Sequence, residues 1–153
     1  MFNCCKSLEE LNISHFNTEN VKDMSFMFSD CESLKELNVS NFNISKVTKM
    51  ERMFNGCELL NELNVSNFNT KNVIEMTGMF SYCLSLKVLD LSNFNTSNVK
   101  WMMSMFVGCR SLKVLNISNF DTKNVNNMGS MFGDYSKKLK NKIKLKNKNI
   151  KVD

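Results

Sequence analysis

The sequence predicts an α/β repeat: a right-handed solenoid with one short parallel strand and one short helix per 26-residue coil. Three observations carry this. Apolar residues recur every 26 positions without a slip, in Phe2, Phe28, Phe54, Phe80, Phe106 and Phe132, and in Cys5, Cys31, Cys57, Cys83 and Cys109. Within each unit, one half alternates apolar and polar residues, and the other spaces its apolar residues three or four apart. A unit of this length cannot bury its own apolar face, so successive units must stack.

The cleanest unit runs from Met53 to Gly78. Its first half is represented by Leu37-Asn38-Val39-Ser40-Asn41-Phe42 one coil earlier, where period-two alternation predicts a strand of about three to five residues. Its second half is represented by residues 72–80, where Val73, Met76, Met79 and Phe80 fall on one face of a short helix. Thr70 or Asn72 would cap that helix. Strand-helix-strand crossovers are right-handed, which gives the expected hand. Leu8, Leu34, Leu60, Leu86 and Leu112 share one buried slot, and Phe16, Phe42, Phe68, Phe94 and Phe120 another. Asn41, Asn67, Asn93 and Asn119, with Asn43, Asn69, Asn95 and Asp121, are read as structural ladders, since stacked turns bury backbone groups that need partners.

The chain begins inside a unit, because Met1-Phe2 occupies the slot of Met27-Phe28. It is therefore expected to be a fragment, or a reading frame begun at an internal methionine, with its first coil the softest. The solenoid is expected over residues 1–136 and a lysine-rich tail over 137–153. In the last unit Tyr135 stands where Cys is expected. Lys142-Ile143-Lys144-Leu145 still alternates, so one edge strand is expected there, followed by disorder.

Net charge is +5, but the tail alone holds eight lysines and one aspartate, leaving the repeat body at −2. The body has no basic stripe, so no specific nucleic acid is expected, and the tail is expected to bind polyanions weakly. No apolar run reaches the ~20 residues of a membrane span. Five of the six cysteines share one slot and are read as a reduced, buried column. An inter-coil disulfide is the alternative, and a metal site is disfavoured because paired CxxC spacing is absent and His15 is the only histidine. No cofactor and no catalysis are expected: phosphate loops, a nucleophile elbow and HExxH are all missing.

The unit Met-Phe-x-x-Cys-x-x-Leu-x-x-Leu-x-Val-Ser-Asn-Phe-Asn-Thr-x-Asn-Val-x-x-Met resembles the BspA-like leucine-rich-repeat family of bacterial and protist surface proteins, above all its mycoplasma-type branch. The resemblance spans residues 1–136. It implies a leucine-rich-repeat solenoid, no catalytic residues, and attachment to host or cell-surface proteins, hence a surface or secreted location. No export signal or anchor is read in these 153 residues, so a cytoplasmic location is kept as the alternative expectation. The rival reading is an intracellular interaction scaffold with a basic tail.

Candidate partner-binding residues are those that break an outward slot. Glu10, Glu36 and Glu62 give way to Val88 and Val114, and Asn64 to Asp90. Trp101 replaces Asp23, Lys49, Glu75 and Asn127; Met103 replaces Ser25, Glu51 and Thr77; Val107 replaces Ser29, Asn55 and Ser81. On a helix Met103 and Val107 would lie together and Trp101 would be displaced. An exposed Trp among apolar neighbours suits a protein partner. The alternative is that these side chains cover the adjacent coil, or that the sheet face is merely solvated.

Overall fold

A computed structural model describes residues 1–133; the lysine-rich tail at 137–153 and the edge strand expected at 142–145 lie outside them. The coils stack in parallel at the period read from the sequence. Backbone bridges join Asp23 to Lys49, Lys49 to Glu75, Glu75 to Trp101 and Trp101 to Asn127. Six rings of the first Phe slot stack face to face in five successive pairs, with centroids 5.7–6.0 Å apart from Phe2 through Phe132. Met, Leu, Val and Cys side chains of the same slots complete one continuous core. Each fully buried Phe, Met or Leu contributes about 1.5–3 kcal/mol.

The α/β class is overturned: no helix occurs among the described residues. The segment expected to be helical instead gives its N–H groups to the next coil. Met24 N donates to Lys49 O, Phe26 N to Glu51 O, Phe28 N to Met53 O and Asp30 N to Asn55 O, at 2.7–3.0 Å. A helix would turn those donors back along its own chain. Between them the chain closes tight turns, with Met27 N donating to Met24 O and Cys31 N to Phe28 O. The third residue of each turn, Phe26 and Asp30, has positive φ, as a type II turn demands. The same pair of slots is left-handed in later coils, at Arg52 and Gly56, Gly78 and Tyr82, and Ser104 and Gly108. Two left-handed residues four apart forbid a continuous right-handed helix. A left-handed non-glycine residue costs about 1–3 kcal/mol, which burial of the adjoining Met and Phe pair offsets.

A strand in every coil is likewise corrected. Among the described residues two are present, β1 (Val88–Asp90) and β2 (Val114–Asn116), paired parallel with Val88 opposite Val114 and Asp90 opposite Asn116. They lie where β-branched Val replaces the Glu of the first three coils, the residue class that suits a pleated surface. The equivalent segments at 36–38 and 62–64 keep the alternation of buried and exposed residues without forming strands.

Polar ladders tie the coils together. Asn67 Nδ2 donates to the carbonyls of Val39, Ser40 and Phe42 on the preceding coil, at 3.0–3.2 Å. Asn41 and Asn93 repeat this pattern on their own neighbours. Thr70 Oγ1 donates to Asn95 O and accepts from Asn95 N, satisfying both backbone groups of one residue. These bonds are the structural use expected of the Asn slots.

Candidate partner-binding surface

The thiol column shows how completely the repeat assigns its inward slots. Cys57 Sγ donates to Phe28 O at 3.2 Å, Cys83 to Phe54 O at 3.2 Å and Cys109 to Phe80 O at 2.9 Å. Cys31, Cys57 and Cys83 are unbridged thiols. Burial pushes the Cys31 thiol up to about 11 and raises Cys57 and Cys83 as well. A thiol that does not ionise does not react. A maleimide pulse on the native protein is expected to modify exposed Cys4 rapidly and to leave Cys57 and Cys83 unmodified until the chain is denatured; mass spectrometry of the labelled peptides reads the outcome.

The outward slots divide between two parts of the coil. On the strand side, register places Val88 and Val114 directly side by side, 55% and 45% exposed. Asp90 has structural work there. Its Oδ1 accepts the Ser92 N–H at 2.9 Å, and this bond, ahead of the Asn116 side chain, holds its carboxyl below the usual range. Asn12, Asn38, Asn64 and Asn116 make the same turn with Ser14, Ser40, Ser66 and Ser118. Glu36 and Glu62 are exposed. Glu36 lines an open depression of about 500 Å³ with Glu10, Asn12 and Lys35, and a second of about 630 Å³ with Glu62 and Lys87.

On the turn side, Trp101 and Met103 are 42% and 40% exposed and flank buried Met102. They share a face because the segment is extended there, with Trp101 bridging Glu75 and Asn127, and not because of a helix. Val107 does not join them through the i, i+4 relation, since the helix is absent. It is half-buried, its carbonyl accepts the Tyr82 N–H, and its methyls lie where a Cβ on Gly133 would sit. Val107 therefore covers the following coil.

Two residues of this face were not singled out from the sequence. Ile74 is exposed, and its carbonyl accepts the Lys100 N–H beside Trp101. Tyr82 is exposed at φ 57, its ring lying over Gly108, where an added Cβ would meet Cδ1 at 2.6 Å. The signal for both was slot comparison: Ile74 stands among Lys22, Thr48, Lys100 and Asn126, and Tyr82 among Asp30, Gly56 and Gly108. The arrangement presents apolar contact area on coils three and four; among the described residues no group of three potential metal ligands comes together.

The sequence model of a family described as "Mycoplasma protein of unknown function, DUF285" matches residues 1–64 and 30–147. The chain belongs to the DUF285 family. Overlap of the two matched ranges is what a periodic DUF285 chain produces, since the same pattern fits in more than one register. No curated protein and no solved structure matches it. No helix among the described residues of this DUF285 chain is long and apolar enough to cross a membrane.

Proposed function

We propose that this DUF285 chain is a non-catalytic protein-recognition repeat of the BspA-like, leucine-rich surface-adhesin type, binding host or cell-surface proteins. The observation that carries the reading is the contrast between slots. Inward slots are spent on stacking rings, thiols and ladders and scarcely vary. Outward slots are polar in most coils, yet Ile74, Tyr82, Trp101 and Met103 turn apolar on adjacent coils of one side. Exposed aromatic and Met side chains in one patch are the usual anchors of protein contacts. Tyr82 adds weight, because a bulky residue at positive φ is retained at a cost where the smaller Cys4, Asp30, Gly56 and Gly108 serve the other left-handed turns of that slot.

The test is adhesion. Beads coated with the full chain should adhere to cultured animal cells, and Trp101→Ala should weaken that adhesion by about 2 kcal/mol or more in apparent affinity. Its thermal unfolding should stay within about 0.5 kcal/mol of the parent, as for an exposed side chain. Failure of coated beads to adhere, or a Trp101→Ala defect that tracks lost stability, would remove the reading.

A further inference from the structure

We propose that the strand side of the stack is a self-association surface that takes a second copy of this chain in antiparallel alignment. The inference uses a part of the coil separate from the Trp101 face and does not depend on the adhesin reading.

The argument is charge complementarity along the stack. On the strand side of coils one to three, Glu9 is neutralised by Lys35 at 2.9 Å, while Glu10, Glu36 and Glu62 make no ion pair among the described residues. Over coils four and five the same surface carries Lys87 and Lys113, exposed and likewise without an ion pair among the described residues, beside exposed Val88 and Val114. The asymmetry extends to the whole described chain: residues 1–66 sum to −4 and residues 67–133 to +3.

A parallel pairing of two such faces would set the Glu column on the Glu column and lysine on lysine. Rotation about a two-fold axis lying across the face at the third coil reverses one stack. Coil one of each copy then opposes coil five of the other, and coil two opposes coil four. Glu10 and Glu36 meet Lys113 and Lys87, twice over, as an isologous interface requires, and only the two Glu62 side chains face a like charge, across the axis itself. Because both copies step by the same ~4.8 Å strand spacing, the opposed columns stay in register along their length. The lysine stems can lie over Val88 and Val114 while their ammonium groups reach the carboxylates, which covers the apolar pair.

The test is sedimentation of the full chain and of two exposed-charge variants. The parent chain is expected to dimerise in low salt and to dissociate as salt is added, since exposed charges are screened. Lys87→Glu with Lys113→Glu, and separately Glu10→Lys with Glu36→Lys and Glu62→Lys, should each weaken dimerisation by about tenfold or more. An equimolar mixture of the two variants should restore a heterodimer, because every opposed position, position 62 on the axis included, is then of opposite sign. The lysine run at 137–153 is unchanged in all of these proteins, so it separates the alternatives. Dimerisation of the Lys-to-Glu variant as strong as that of the parent assigns the contact to the run and overturns the proposal. A parent chain that stays monomeric in low salt, or a mixture that does not associate, overturns it equally.

Discussion

Phe54→Ala is expected to cost about 3–5 kcal/mol of stability, among the largest effects available in this chain. Phe54 is fully buried, and its ring stacks on Phe28 and on Phe80 at 5.7 Å each, with 9° between planes on both sides. Truncation removes its own burial and two ring contacts, the latter about 0.5–1.5 kcal/mol apiece. The cavity has little means of closing, because the coils above and below are held at strand spacing by backbone bonds such as Phe28 N to Met53 O and Phe54 N to Met79 O. Phe2→Ala should cost much less, since Phe2 is half-buried and its slot has a neighbouring ring on one side only. Denaturant titrations of the two variants, compared at unchanged slope, measure the difference. Equal costs would mean that the column does not act as a stack.

Asn67→Asp is expected to destabilise by roughly 3 kcal/mol or more, although it alters a single atom of an exposed residue. The Nδ2 group of Asn67 is shared among three carbonyls of the preceding coil. A buried acceptor left unmet costs about 1–3 kcal/mol, and a carboxylate aimed at those oxygens adds repulsion to the loss. The repulsion disfavours the ionised form in the folded state, so the introduced carboxyl has a raised folded pKa. Stability should therefore fall as pH rises from the unfolded to the folded pKa and should recover as pH falls through the same window. Asn67→Ala is the control: it lacks the charge, so its defect should be smaller and independent of pH. Thermal unfolding across the acid range separates the two. An aspartate variant no worse than alanine would show that water satisfies the carbonyls.

Period and packing were legible because burial acts on identity. Each Phe, Cys and Leu column could be read by stepping 26 residues, and the Asn slots followed from the need of stacked carbonyls for donors. The helix was misread because the spacing of Val73, Met76, Met79 and Phe80 is compatible with a helical face and equally with consecutive turns pointing the same way into a core. Gly56, Gly78 and Gly108 held the contrary signal. Pooled over coils they mark two recurring left-handed slots, but each of these three coils uses glycine at only one of them, with Arg52, Tyr82 or Ser104 at the other, and the coil of Phe26 and Asp30 uses none. Among candidate residues, exposure of Trp101, Met103, Val88 and Val114 followed from slot comparison. Asp90 and Val107 did not behave as free surface, because turn chemistry and contact with the next coil are set by backbone geometry, which a side-chain pattern does not report.

The one-to-one pairing of each residue with the residue 26 further on bears on how such a gene can change length. A single inserted residue would have to bulge out of its coil while both adjoining coils still demanded their donors and rings in place. An extra whole coil meets no such obstacle, since it offers the same columns above and below. Loss or duplication of a whole repeat makes that kind of change, so relatives of this chain should be longer or shorter by entire units, with the outward slots of each new unit free to diverge.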